Sequence, residues 1–438
     1  MNRRPKAAAA GADTGLLYWW LLLCLFFEYA RPSSFVPGLS ALHLNSLLPL
    51  TLLLVTCFKK DGLRPLDDIF KDKMAKWILI YFGLIVFSIV HARVKMYTIT
   101  VISTTLGYVF LWLLILRIIT SLDRLRGVMK TLIFAHLFLL AMNPQAILNP
   151  SERHYITGAT FLGDGNDFSL SICILLPMAI ELALSAPSRF SKAFWWLILL
   201  VLIFAIVGSS SRGGTLGMAS VVGYLWLRSP RKGLTIAGVV LAAIAVLAYA
   251  PDTYLKRMGT MSNYEEDGSA MGRIHAWQAG INMFVDNPVL GVGAGHFPVS
   301  FGTKYRPASA TSPRWKTAHS MYFLILGELA LPGIITLFVL LIGSVRASTR
   351  MRRMMAARLA RDRRLPGFLN PEDRMLYMLN GSMLGFSIAG AFLSVAYYPH
   401  VFVLAALMIV GRRIAQQQLE APAPVKAEPA AGTAAVPA

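Results

Sequence analysis

The feature that most constrains this chain is a series of apolar runs too long for a water-soluble core. AFWWLILLVLIFAIV, residues 193–207, carries no charge, and comparable runs recur along most of the sequence. A helix of roughly 20 such residues spans the ~30 Å of hydrocarbon in a bilayer. With 56% hydrophobic and 15% charged residues among 438, the chain reads as an all-α polytopic membrane protein.

About twelve transmembrane helices are predicted, over residues 15–30, 41–58, 75–92, 97–119, 127–143, 166–186, 192–209, 212–228, 233–250, 319–345, 375–397 and 400–411. The chain then divides into nine spans (1–250), a large loop (251–318) carrying active-site residues, three further spans (319–411) and a cytoplasmic tail (412–438) expected to be disordered. GLLYWWLLLCLFFEYA follows a basic MNRRPK without a small-residue cleavage site, so an uncleaved anchor is expected rather than a signal peptide.

Lysine and arginine resist translocation and mark the cytoplasmic side. With both termini inside, 30 of the 42 basic residues fall on cytoplasmic segments. Most of the net charge of +20 is therefore topogenic, placed beside anionic lipid headgroups, and nucleic-acid binding is not expected. Cys24, Cys57 and Cys173 all lie in predicted spans and suggest neither disulfides nor a thiolate metal site.

Two outside segments have room for chemistry, residues 143–165 and 251–318. In the larger, Ser269 to Phe284 is predicted to be an amphipathic helix across the outer mouth of the bundle. Ile274, Trp277, Ile281 and Phe284 share its apolar face, and Arg273 lies in its first turn. Asp286, Asn287 and Pro288 stop it. VLGVGAGHFP, residues 289–298, lacks the spacing and the preceding strand of a nucleotide loop and reads as a tight turn.

Lys304, Arg306, Arg314 and Lys316 then approach the membrane edge, the first three either as phosphate ligands or as solvated loop charges. His319 opens the tenth span, with Tyr322 following at helical spacing. A histidine there is either a tolerated interfacial residue or a general base, since its ordinary pKa of about 6.5 lies near working pH. Glu328 falls at intramembrane depth, where a carboxylate costs on the order of 2.5–3.5 kcal/mol, so a cavity or a cationic partner is expected around it. The remaining histidines, His43, His91, His136, His154, His275, His296 and His400, rank lower, and a zinc site is not expected.

In the smaller loop, Asp164, Asn166 and Asp167 stand at the mouth of the sixth span. They read as a helix N-cap or as a hydrogen-bonding wall of an outward-facing site. VGSSSRGGTLG, residues 207–217, forms the turn between spans seven and eight. It places Arg212 outside, where arginine has no topogenic duty, and its serines and glycines are expected to leave the backbone open to a phosphate.

Taken together, the SSSRGG turn, GRIHAW in the long loop and AHSMYFLILGELALPG leading into a late span resemble the O-antigen ligase and polymerase family, which includes bacterial O-oligosaccharyltransferases. The likeness is tighter from Asn166 to Gly333. It implies metal-independent glycosyl transfer, without a cofactor, on the periplasmic face of a bacterial inner membrane. The donor would be a glycan on undecaprenyl diphosphate, and in the ligase branch the acceptor is a hydroxyl of the lipid A core. LYWWLLLCLFFEYARPSSFVPGL favours that branch, whereas Ser320 stands where many members carry Asn.

The resemblance carries the catalytic roles onto Arg212, Arg273 and His319. Arginine grips phosphate oxygens bidentately and keeps its charge, so Arg212 and Arg273 suit a leaving diphosphate whose charge grows in the transition state. His319 is the candidate base for the incoming hydroxyl, and attack opposite the leaving group inverts the sugar. Lys304, Arg306, Arg314, Tyr322, Asn166, Asp167 and Glu328 are the candidate substrate contacts. Alternatives are a polymerase or protein O-oligosaccharyltransferase of the same family, a secondary transporter, or a membrane scaffold. No repeat between the two halves supports transport.

Overall fold

A computed structural model describes residues 5–59, 62–148, 155–158, 160–229, 232–249, 268–308, 315–361 and 370–420, and every regular element among them is helical. Leaving aside helices of five residues or fewer, the first nine are α1 Pro5–Ala30, α2 Leu44–Phe58, α3 Lys73–Phe87, α4 Lys95–Ile118, α5 Leu122–Met142, α6 Gly165–Ser185, α7 Arg189–Gly208, α8 Arg212–Arg228 and α9 Lys232–Tyr249. Then come α10 Gly268–Asp286, α11 Met321–Phe338, α12 Ser344–Arg361, α13 Pro371–Ala389 and α14 Pro399–Glu420.

Among the described residues, nine helices are long and apolar enough to cross a membrane. Shorter apolar helices cover Thr14–Ala30 and Thr235–Tyr249, and α8 has 17 residues. The protein is thus a polytopic helical membrane protein. The spans α6 and α14 form its centre, each 83% buried, whereas the helical stretch Leu39–Phe58 at the periphery is 17% buried.

Polar side chains start several of these helices by accepting from otherwise unpaired N–H groups. Asp72 accepts from Met74 N at 2.8 Å ahead of α3, Ser121 from Arg124 N at 3.3 Å ahead of α5, and Asn370 from the N–H groups of Glu372 and Asp373 ahead of α13.

Three expectations are corrected. The last span does not stop at residue 411: α14 continues to Glu420, because Arg412 pairs with Asp72 at 2.7 Å and Arg413 donates to the Leu116 carbonyl at 2.7 Å. Residues 412–420 of the expected disordered tail are therefore helix, while 421–438 lie outside the described residues. The eleventh span, expected to reach residue 397, ends as α13 at Ala389. A turn of 3-10 helix, Gly390–Phe392, and a short loop lead from it to α14.

The tenth span is not one straight helix. Ala330 has φ 49° and ψ −144°, outside helical space, and Pro332 follows. A straight helix would separate Tyr322 from Phe338 by about 24 Å, yet their rings stack with centroids 5.5 Å apart. The helix therefore folds sharply at Ala330, with a proline at the break.

Candidate active site at one end of the bundle

The elbow at Ala330 explains Glu328. Its side chain is buried, and among the described residues it pairs with no arginine. Instead it accepts from the main-chain N–H of Gly295 at 2.8 Å and of Phe297 at 2.7 Å, and from the Tyr397 hydroxyl at 2.8 Å. Three donors satisfy the carboxylate where lipid or a lone cation would not. The glycine-rich segment it holds is a tight turn, as expected. Gly291 has φ 70°, and a Cβ there would lie 2.4 Å from the Glu328 carbonyl carbon.

The helix α10 covers residues close to those predicted but packs by a different face. Ala276, Ala279 and Met283 are buried against α11, and a Cβ on Gly280 would lie 3.0 Å from the Phe323 carbonyl oxygen. Ile274 and Ile281, on the predicted apolar face, are exposed. In a membrane protein small residues let helices approach while larger apolar ones face outward. Trp277 does pack inward, its ring stacked on Phe323 at 5.3 Å.

Arg212 is the first residue of α8, with Ser211 as N-cap accepting from Gly214 N at 3.1 Å. Ser210 before it is left-handed, φ 50°. The glycines of this turn do not open the backbone to a phosphate. A Cβ on Gly214 would meet Ser169 Oγ at 2.3 Å, so they bring α8 close against α6. Arg212 itself stays partly exposed. A cation at the positive end of a helix dipole does not stabilise that helix, but together they attract an anion.

His319 precedes α11, partly exposed and left-handed with φ 48°. Its main-chain N–H donates to Ser394 Oγ at 2.9 Å. On the same segment, Phe392 abuts the start of α8, 3.2 Å from where a Cβ on Gly213 would lie. The Tyr398 hydroxyl donates to Asp167 Oδ2 at 3.4 Å, and Tyr397 reaches Glu328. Residues 390–398 thus join the surroundings of Arg212, His319, Asp167 and Glu328. The predicted eleventh span, running to residue 397, absorbs nearly all of this segment; SVAYYP, polar and proline-ended, is the sequence signal for it.

Arg273 is brought to the same end. Lys316, three residues before His319, lies within its electrostatic reach, and burial together with Arg273 holds the Lys316 ammonium below its usual pKa. Asn166 Nδ2 donates to Asp164 Oδ1 at 2.8 Å, so Asp164 serves both as cap and as anchor for Asn166. The Tyr322 hydroxyl donates to the Ser387 carbonyl at 3.0 Å and ties α11 to α13. Lys304 pairs with Asp286 at 2.6 Å, and Arg306 is exposed. Arg314 lies outside the described residues.

Two further histidines are structural members of this end. Ser171 Oγ lies 2.6 Å from His136 Nε2 and 2.8 Å from His400 Nε2, all three buried. Among the described residues, no three His, Cys, Asp or Glu side chains are grouped to hold a metal ion.

The architecture is that of a multi-pass helical membrane protein with a polar, cation-bearing end. Residues 197–338 match the family model of the O-antigen ligases. The match includes Arg212, Arg273 and His319, but ends before the 390–398 segment. No curated protein matches the chain.

Proposed function

We propose that the protein is an O-antigen ligase, an enzyme transferring a polysaccharide from undecaprenyl diphosphate to a lipid A-core hydroxyl. Transfer takes place on the periplasmic face of a bacterial inner membrane, with both chain termini cytoplasmic and residues 251–318 forming the large periplasmic loop. The nine long spans, together with Thr14–Ala30, α8 and Thr235–Tyr249, make twelve crossings.

The observation that carries this reading is the bridge formed by residues 390–398, which touches the start of α8 at Phe392 and His319 at Ser394. In the reaction the His319 imidazole takes the proton of the acceptor hydroxyl. The freed oxygen bonds to the anomeric carbon as the carbon–phosphate oxygen bond breaks, and that electron pair leaves on the diphosphate. Arg212 and Arg273 bind the departing charge more tightly as it grows, which lowers the barrier without a cofactor. Lys304, Arg306, Arg314, Tyr322, Asn166, Asp167 and Glu328 are assigned to substrate binding or to supporting its walls.

Two left-handed non-glycine residues, Ser210 and His319, flank this bridge. Such conformations cost on the order of 1–3 kcal/mol and persist where the surroundings enforce them, commonly at functional sites. The test is glycan transfer by membranes containing His319→Ala or Arg212→Ala protein, each shown to be inserted and folded. Transfer should fall by about two orders of magnitude or more. Wild-type rates in both variants would remove the reading, and products growing by repeat units on the lipid carrier would favour a polymerase.

A further inference from the structure

At the opposite end of the bundle, the last turns of α14 meet the end of α4 and the start of α3. Arg412 donates to Asp72, the N-cap of α3, and Arg413 donates to the Leu116 carbonyl in the last turn of α4. Arg117 is the next residue, and its carbonyl accepts from the main-chain N–H of Arg64 at 3.1 Å. Arg64, Arg412, Asp72 and Asp68 all lie within electrostatic reach of the Arg413 guanidinium. Four arginines therefore share one corner.

The nearby carboxylates do not balance them. Asp72 is engaged by Arg412, and Asp68 is bound to Lys71 at 2.8 Å. Among the described residues, each arginine keeps a buried nitrogen without a hydrogen-bond partner: Arg64 Nε, Arg117 Nε, Arg412 Nη1 and Arg413 Nη1. Arg117 and Arg412 are only 6% and 7% exposed. Buried guanidinium donors left unpaired are costly, and like charges at one corner add repulsion. A topogenic signal needs only cations in water beside the headgroups. It does not account for arginines buried between helices with donors to spare.

The group that meets this demand is an anion with several acceptor oxygens, which arginine recognises through its planar fork. The corner lies where three spanning helices α3, α4 and α14 end, at the depth of lipid headgroups. Basic pockets between spanning helices hold anionic headgroups in this way. We propose that Arg64, Arg117, Arg412 and Arg413 form a phosphate site at the end of the bundle away from His319, filled by the headgroup of an anionic phospholipid. It is independent of the catalytic reading, since none of these residues approaches the other end.

The test uses the intact protein in detergent, exchanged into phosphatidylglycerol or phosphatidylethanolamine and read by native mass spectrometry and thermal melting. Wild-type protein should retain phosphatidylglycerol preferentially and melt higher with it. The Arg64→Gln/Arg413→Gln double variant keeps an amide donor for the Leu116 carbonyl and leaves the Arg412–Asp72 pair intact. It should lose about fivefold in preference per arginine removed, while Arg353→Gln, an exposed charge on α12, should behave as wild type. Uptake of inorganic phosphate by wild-type protein but not the double variant, without a lipid preference, would keep the phosphate site and assign it to free anion. Equal retention of the two lipids with no phosphate uptake, or a preference unchanged in the double variant, would overturn the proposal.

Discussion

The main-chain N–H of His319 donates to the hydroxyl of Ser394, 75 residues later in the chain. This contact crosses from the start of α11 to the loop before α14 and holds a histidine whose φ of 48° is unfavourable for its residue type. The backbone of His319 is therefore held by a residue outside the matched residues 197–338.

Ser394→Ala removes the acceptor and leaves that N–H unpaired. The cost of about 1–3 kcal/mol corresponds to a loss of about 5- to 160-fold in transfer rate if it falls on the working geometry. Ser394→Thr keeps an oxygen and should retain most activity. Rates in proteoliposomes, compared at equal melting temperature, check both; an alanine variant at full rate would show that transfer does not depend on this hold on His319.

Glu328→Ala strands the N–H groups of Gly295 and Phe297 and the Tyr397 hydroxyl. With about 1–3 kcal/mol per stranded group, folded protein should be nearly lost. Glu328→Gln keeps one acceptor but turns an amide donor toward the others, so it should melt between alanine and wild type. Detergent melting curves give the order, and a wild-type curve for the alanine variant would remove the clamp argument.

Gly291→Ala tests the same elbow from the opposite side. The new methyl must adopt φ near 70° and enter the Glu328 main chain, so the variant should fail to accumulate. Gly15→Ala, which meets nothing within 4 Å, is the matching control. Yields of membrane-inserted protein decide the comparison.

Helix positions were legible in the sequence because hydrocarbon thickness and backbone hydrogen bonding leave a spanning chain few alternatives. The Ala330 elbow was not. LILGELALPGIITLF is apolar almost throughout, and the conformation at Ala330 is set by contacts around Glu328 with a turn some 35 residues earlier. The face by which α10 packs was not legible for a related reason: apolar periodicity marks the face that avoids water, and beside lipid that is also the outward face. Arg212 and His319 stood out as polar residues at span ends, whereas Ser394 and Tyr397 gain meaning only through long-range contacts.

The Lys304–Asp286 pair makes a pH prediction. Lys304, followed by the Tyr305 hydroxyl, holds the Asp286 carboxyl below its ordinary value, and Asp286 raises the Lys304 ammonium. The carboxylate's contribution is therefore fully present above about pH 3.9 and lost as pH falls through its lower folded value. The ammonium's is present below about pH 10.4 and lost as pH rises through its higher folded value. Both groups are exposed, so the effect is small. Asp286→Asn should lower the melting temperature by the same slight amount at about pH 6 and about pH 9, with the gap closing under strong acid. A gap that widened on acidification would contradict the assignment.

Arg212→Lys separates charge from geometry. Lysine keeps the cation at the start of α8 but loses the planar fork that matches two phosphate oxygens at once. If Arg212 grips the diphosphate as charge develops, the lysine variant should bind the lipid-linked donor nearly as well while turning it over much more slowly. Losing one such donor costs on the order of 10²–10³ in kcat. Alanine should also weaken donor binding, because it removes the charge itself. Single-turnover rates against donor concentration resolve the two effects. Unchanged turnover with weakened binding in the lysine variant would make Arg212 a binding residue without a part in stabilising the transition state.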